Sequence, residues 1–223
     1  YHLHDQADYT AESADIGDAE HTGCIEDFLA GGTFTRIAKT PERQPGSAPT
    51  EYWNLSEASG ARIGSVSGAN FAPSGAVSTT SNMSGGVAAQ LTSDGKLSCT
   101  STHAIQVGNF DWTVCGWFRI SDQSQAPSII LKGGGAQAQF VVYAGEPKGL
   151  RLVVYKTASD YVDVYGTPGV VVPNNTWVFF HAWHAAASDV IGLQINNGTS
   201  YTSAWAKGVN PTGAQDLVLG SFG

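Results

Sequence analysis

Charged residues are scarce in this chain. Asp, Glu, Lys and Arg make up 13% of the 223 residues, about half of the usual 25%. This scarcity excludes a long helical bundle, because such a fold needs many Lys and Glu residues on its exposed helix faces. The chain also lacks the apolar run of about 18 residues that a transmembrane helix needs. The sequence therefore predicts no membrane span.

Positive charge is missing from one region in particular. The formal net charge is −8 and the pI is about 5.0, which argues against nucleic acid as a partner because phosphates would be repelled. Residues 1–27 contain no Lys or Arg but contain eight acidic residues: Asp5, Asp8, Glu12, Asp15, Asp18, Glu20, Glu26 and Asp27. The remaining residues, 28–223, have no net charge.

The acidic region continues into a proline-rich stretch at residues 39–49, a composition typical of linkers. We therefore predict two parts, an extended acidic arm over residues 1–49 and a folded domain over residues 50–223. Residues 33–38 are the one strand predicted within the arm. Because the arm lacks the apolar residues for a core of its own, we expect it to dock on other subunits of an assembly.

Cysteine is also rare, with Cys24, Cys99 and Cys115 as the three examples. No CxxC motif is present and no histidine stands at zinc-finger spacing, which argues against a zinc site. Cys99 and Cys115 lie in neighbouring strand-like segments. Two alternatives stay open for this pair, a disulfide or two buried free thiols.

Glycine, by contrast, is abundant at 27 residues, and clusters of Gly, Pro, Asn and Asp separate short segments with strand character. The Asn197-Gly198 pair is the sharpest hairpin signal. About ten short strands without helical periodicity predict an all-β sandwich or jelly roll. The predicted strands are residues 50–55, 86–91, 111–120, 128–132, 139–143, 149–156, 161–165, 176–185, 190–195 and 199–205, and residues 96–100 and 216–223 are two further strand-like segments.

Several of these segments carry a resemblance to a known family. Tyr52–Gly60, Phe110–Phe118, Thr176–His184 and Asp216–Gly220 resemble, in order and spacing, strands of the laminin-G-like, concanavalin A-like lectin and glucanase domains. The resemblance implies a concanavalin A-like antiparallel β-sandwich (jelly roll) over residues 50–223. In that family one more strand follows the segment that ends the chain here. We therefore expect that the last strand is lacking, that both chain ends are cut, and that an edge beside Trp53 needs another strand.

The glucanases of this family use a Glu-x-Asp-x-x-Glu strand, and this chain has none. Asp160 and Asp163 are three residues apart and are expected to point to opposite faces of a strand, so they do not form the paired carboxyls that glycoside hydrolysis requires. His181 and His184 have the same spacing, and we expect one inside the sandwich and one outside, both with structural roles. We predict that the protein is not an enzyme.

Many family members bind calcium in the loop after the first strand, using side-chain and backbone oxygens. Here two acidic positions of that loop are replaced by Ser56 and Gly64, whereas Glu57 and Asn70 remain as candidate ligands. The sequence predicts no cofactor, with a weak calcium site at Glu57 and Asn70 as the alternative.

Lectin-like sites place aromatic rings against sugar rings and use amides and carboxylates for the hydroxyls. Candidates of these residue types lie in the predicted strands and loops. The predicted carbohydrate-binding residues are Tyr143, Tyr155, Tyr161, Tyr165, Tyr201, Trp205, Asn174, Asn175 and Asn197.

Residues 183–199 most resemble versions of the domain that are carried on bacteriophage structural proteins. This likeness implies a non-enzymatic, surface-displayed structural or adhesion protein, such as a capsid decoration, tail or fibre component of a virion. Its partners would be other subunits, contacted through the arm, and cell-surface glycans. The location would be the virion surface or the extracellular space. The alternative is a carbohydrate-binding module of a larger secreted bacterial enzyme or adhesin.

Overall fold

The structure is a computed structural model, and it describes most of the chain after residue 50. The described residues are 51, 53–66, 68–82, 86–92, 94–100, 107–122, 126–134, 137–145, 149–166, 172–196, 198–210 and 215–221. The predicted arm, with its strand at residues 33–38, and the predicted site residue Asn197 lie outside them. None of the described residues forms a helix that could cross a membrane.

The described residues form thirteen strands and one turn of 3-10 helix at Ala186–Ser188. In chain order the strands are β1 (Ala72–Ser74), β2 (Val77–Ser81), β3 (Val87–Leu91), β4 (Lys96–Cys99), β5 (Trp112–Phe118), β6 (Ser128–Lys132), β7 (Phe140–Gly145), β8 (Gly149–Thr157), β9 (Asp160–Tyr165), β10 (Val178–Ala185), β11 (Val190–Ile195), β12 (Tyr201–Ala204) and β13 (Leu217–Ser221).

These strands form two main sheets and a separate hairpin, and every strand pair is antiparallel. The seven-stranded sheet has the order β1-β4-β13-β6-β7-β8-β9, and the four-stranded sheet has the order β12-β11-β10-β5. Strands β2 and β3 pair only with each other among the described strands. The predicted all-β antiparallel sandwich of the jelly-roll type is thereby confirmed.

The core lies between the two main sheets and follows the period-two alternation of the strands. Leu150, Leu152 and Val154 of β8 face inward and are fully buried, opposite Ile191 and Leu193 of β11. Because successive residues of a strand point to opposite faces, the residues between them on β7, β8 and β9 must point to the outside of the seven-stranded sheet.

Strand β10 is buried from Val178 to His184. Phe180 and Ala182 belong to the core between the sheets, and His184 stacks on Trp112 with its Nδ1 2.8 Å from the carbonyl oxygen of Phe110. His181 points to the opposite side, as predicted from the spacing of the two histidines. It is nevertheless buried on that outer side.

Two sequence-based expectations differ from the structure. Of the strand predicted at residues 50–55, the described residues 51 and 53–55 form a single bridge, between Trp53 and Gly64. Trp53 packs on Phe71, with 4.6 Å between ring centroids. The stretch at residues 72–81, where the sequence predicted no strand, contains β1 and β2. The missing last strand stays a prediction.

The cysteines follow neither of the two alternatives that the sequence left open. Cys99 is a free thiol buried in the core, and burial raises its pKa. Cys115 is disulfide-bonded. The two residues are therefore not bonded to each other.

Candidate functional site

The outer face of β7, β8 and β9 carries four of the predicted tyrosines. Tyr143, Tyr155, Tyr161 and Tyr165 alternate along these strands with core residues. The antiparallel registers align them across the sheet: Tyr143 pairs with Arg151, and Arg151 pairs with Tyr165.

A second row joins Tyr155 to Tyr161. We call this surface the tyrosine face, and its members are Tyr143, Arg151, Tyr155, Tyr161, Asp163 and Tyr165.

Arg151 organises one end of the tyrosine face. Its guanidinium carbon lies 5.3 Å from the centroid of the Tyr143 ring and 5.4 Å from that of Tyr165, within the range of cation–π attraction. Its Nε donates a hydrogen bond of 2.8 Å to Oδ2 of Asp163, and Nη1 donates to the Tyr143 hydroxyl oxygen. These contacts fix the guanidinium group of Arg151 between the rings of Tyr143 and Tyr165.

The hydroxyls of Tyr143 and Tyr155 stay protonated at neutral pH. Burial raises the pKa of Tyr143, and the nearby Arg151 charge offsets this only in part. Burial also raises the pKa of Tyr155. Each hydroxyl is therefore present as a neutral group that donates as well as accepts hydrogen bonds.

The other end of the tyrosine face is the more open one. The rings of Tyr155 and Tyr161 lie 5.6 Å apart between centroids, at 45° to each other, and Tyr161 is 50% exposed. Val153 lies on the same face between the two rows and is nevertheless buried, so the surrounding side chains cover it. The result is an aromatic surface over an apolar floor.

The neighbouring acidic residues are engaged by cations. Asp163 bonds Arg151, and Asp160 accepts a hydrogen bond of 2.6 Å from Nζ of Lys207. Ser203 donates to the backbone oxygen of Asp163 over 2.9 Å, which ties β12 to β9. The two aspartates thus serve separate ion pairs.

Arg151 and Asp163 are the members of the tyrosine face that sequence reasoning did not propose as binding residues. Residue types alone could not single them out, since each lies within an ordinary strand pattern. Their place depends on the register between β7, β8 and β9, including an irregularity between Tyr155 and Thr157. Aligning the outward-facing residues of β7, β8 and β9 across their two successive hairpins would have identified both residues.

The remaining predicted binding residues lie elsewhere. The choice of Trp205 as a surface residue is wrong, because it is 5% exposed and its Nε1 donates over 2.6 Å to the Gly208 carbonyl. Tyr201 packs partly buried against the core. Asn174 and Asn175 are exposed in the turn before β10. There the backbone N–H of Asn175 donates a hydrogen bond of 2.7 Å to the Ile120 carbonyl.

The predicted metal ligands share one loop. Glu57 Oε1 accepts a hydrogen bond of 2.7 Å from the amide of Ile63, and Asn70 Oδ1 accepts one of 3.1 Å from the next amide, that of Gly64. Both oxygens therefore stabilise the loop backbone. Among the described residues no three His, Cys, Asp or Glu side chains cluster in a way that could hold a metal ion. Calcium binding stays a prediction.

No protein-family model and no curated protein matches this chain, but solved structures share its fold. One is domain 4 of AbnA, a GH43 extracellular arabinanase from Geobacillus stearothermophilus, in complex with arabinotriose, with 14% identity, a TM-score of 0.50, and 66% of each chain covered. Another is the binding domain of botulinum neurotoxin DC in complex with SialylT, with 13% identity and a TM-score of 0.51.

The neurotoxin match covers 71% of this chain but 40% of the toxin domain. This chain thus spans just under two thirds of the arabinanase domain and less than half of the toxin domain. At such low identity the shared property is the β-sandwich fold.

Proposed function

We propose that this protein is a lectin-like module that binds carbohydrate on the tyrosine face. The observation that supports this most is the alignment of four tyrosines with Arg151 and Asp163 on one outward sheet surface. Aromatic rings stack on the C–H faces of sugars, while fixed polar groups beside them select hydroxyl positions.

The two ends of the tyrosine face would make different contacts with the sugar. Tyr155 and Tyr161, the more open pair, would supply the stacking surface for a sugar ring. Arg151 and Asp163 would bond sugar hydroxyls, with Tyr143 and Tyr165 holding the arginine in place. Because the Arg151–Asp163 pair has no net charge, we expect recognition to depend on hydroxyl geometry more than on the charge of the saccharide.

The structural neighbours support the same class of function. The arabinanase domain is in complex with arabinotriose, and the neurotoxin domain is a binding domain in complex with SialylT. A β-sandwich of this type is thus used elsewhere to present a ligand surface. Function still has to be argued from the site, which here is the tyrosine face.

A glycan array followed by calorimetry on the best ligand tests this proposal. Tyr161→Ala should weaken binding at least fivefold, because we expect a stacked sugar ring to contribute about 1–3 kcal/mol, as a base stacked on an aromatic side chain does. Phe110→Ala is the matched control, since Phe110 is 51% exposed but lies outside the tyrosine face. Equal loss in both variants, or no glycan binding by the intact chain, would contradict the proposal.

The proposed module binds without cleaving. A retaining glycosidase uses two carboxyl groups about 5 Å apart that act together on one bond. Here Asp160 and Asp163 are each paired with a different cation, which argues against such a joint role. A reducing-sugar assay on the glycans that bind should show no release. Release that disappears in Asp163→Asn would contradict a purely binding role.

For its setting, we favour display on a surface, either on a virion or outside a cell, with other subunits as partners. The likeness of residues 183–199 to phage structural proteins supports this. The alternative, a binding module of a larger secreted enzyme or adhesin, is supported by the arabinanase domain among the neighbours. Sizing the full chain in solution separates them: a homo-oligomer favours the first, and a monomer favours the second.

A further inference from the structure

The tyrosine face extends along its strands farther than one sugar ring. Arg151, Val153 and Tyr155 are alternate residues of β8 and share its outward side, and the register places Asp163 beside Val153 and Tyr161 beside Tyr155. At about 3.3 Å per strand residue, Asp163 lies about 7 Å and Arg151 about 13 Å along the strands from the row of Tyr155 and Tyr161. A hexose ring with its hydroxyls is only about 5–6 Å across, given carbon–carbon bonds of about 1.5 Å.

The guanidinium group of Arg151 is held at its own end of the tyrosine face. It lies 5.3 Å and 5.4 Å from the ring centroids of Tyr143 and Tyr165, the two residues that flank Arg151 in the register. Its Nε bonds Asp163 over 2.8 Å. The group therefore does not lean towards the other pair of tyrosines, and one sugar residue cannot stack on that pair and bond Arg151 at the same time.

The middle of the tyrosine face is apolar. Val153 is 1% exposed, and Val141, its partner on β7, is half-buried. Neither side chain has a polar atom that could hydrogen-bond a ligand. The face therefore has two separate contact points, an aromatic one and a charged one, with an apolar stretch between them.

The charged contact point has hydrogen-bonding groups to spare. Of the five N–H groups of a guanidinium, Arg151 uses one for Asp163 and one for the Tyr143 hydroxyl, and no other described residue accepts from the remaining three. Asp163 uses Oδ2, which leaves Oδ1. The two side chains are 23% and 32% exposed. Donors and an acceptor side by side suit two adjacent hydroxyls of one sugar residue, because each hydroxyl both donates and accepts.

We propose that the tyrosine face binds a linear oligosaccharide of at least three sugar residues, laid along strands β8 and β9. One residue stacks on Tyr155 and Tyr161, the next lies over Val153, and the third presents two adjacent hydroxyls to Arg151 and Asp163. This inference rests on the carbohydrate-binding function proposed above, and it adds the length of the ligand and the hydroxyl pattern that is recognised.

The dependence of affinity on ligand length tests the proposal. Arabino-, xylo-, cello- and manno-oligosaccharides of one to six residues are titrated into the full chain by calorimetry, with NMR for the weak binders. In the series that binds, the trisaccharide should bind at least tenfold more tightly than the monosaccharide. The reason is that the second contact point is engaged without a second loss of translational freedom. A gain of less than tenfold would overturn the proposal.

Variants at the two contact points separate this inference from the function on which it rests. Arg151→Lys keeps a positive charge beside Asp163 but loses the planar set of N–H donors. It should weaken trisaccharide binding at least fivefold and leave monosaccharide binding unchanged, whereas Tyr161→Ala should weaken both. Arg119→Lys is the matched control, since Arg119 is exposed at the end of β5 on the other sheet, and it should change neither.

Two outcomes would contradict different claims. If Arg151→Lys weakens the monosaccharide and the trisaccharide equally, the two separate contact points are wrong, while carbohydrate binding on the tyrosine face stands. If no oligosaccharide binds, or if Tyr161→Ala leaves binding unchanged, the proposed function fails, and this inference fails with it.

Discussion

Lys132 gives the structure a stability that rises with pH. It lies on β6 between Phe140 and Leu217, is fully buried, and donates from Nζ to the carbonyl of Gln215. Burial lowers its pKa from 10.5 to about 8, against the opposing effect of Asp216. Below that value the folded protein must hold a buried ammonium group, which costs free energy.

The size of the effect follows from linkage. Between about pH 8 and pH 10.5 the unfolded chain binds more protons at this lysine than the folded chain does, so the free energy of unfolding must increase with pH in this window. With a folded pKa of about 8, the Lys132 contribution should increase by about 2 kcal/mol between about pH 7 and pH 9.5. Lys132→Met has no such group and should lack this increase.

Urea unfolding at a series of pH values measures the difference between the two proteins. Both retain Cys99, whose raised pKa acts with the opposite sign, so its effect largely cancels. Lys96→Met, on the exposed surface of β4, is the matched control and should follow the wild type. A wild-type-minus-variant difference that is constant from pH 7 to pH 9.5 would refute the assignment of a buried, easily deprotonated lysine.

Three further outcomes are expected from equilibrium unfolding and titration. Gly192→Ala should destabilise the fold by about 1–3 kcal/mol, because its methyl group would displace a buried indole ring, whereas Gly134→Ala, with open space around it, should change little; equal effects would contradict this. Leu152→Ala should cost about 2–5 kcal/mol through the cavity left in the core, and a loss below 1 kcal/mol would argue against tight packing there. In a spectrophotometric titration, Tyr143→Phe and Tyr155→Phe should each remove a tyrosine that ionises above its ordinary pKa; loss of a normally titrating tyrosine instead would contradict the burial of these hydroxyls.

The sequence predicted much of the fold because most strands are apolar runs bounded by strong turn residues. The bounds of β6 and β11 agree fully with the segments predicted at residues 128–132 and 190–195. Strands β1 and β2 were missed because their Ser, Thr and Ala residues have no clear alternation. What makes them strands is pairing with β4 and β3, a long-range property that a local pattern does not contain.

The candidate site was only partly predictable for a similar reason. Tyrosines in alternating strands are visible in the sequence, and four of them do share a face. Which charged residues stand between them depends on the register of two hairpins. Trp205 shows the reverse error: it was predicted on the surface, but it is buried and the Gly208 carbonyl accepts its N–H.

The central claim is that sugar binds on the tyrosine face. It can be tested most directly by NMR of the full chain with isotope-labelled tyrosine rings, titrated with the best oligosaccharide from the array. With eight tyrosines in the chain, single Tyr→Phe variants assign each resonance. We predict saturable shifts at Tyr143, Tyr155, Tyr161 and Tyr165 and none at Tyr201, which packs against the core. Saturable binding that leaves these four resonances unmoved would contradict the account.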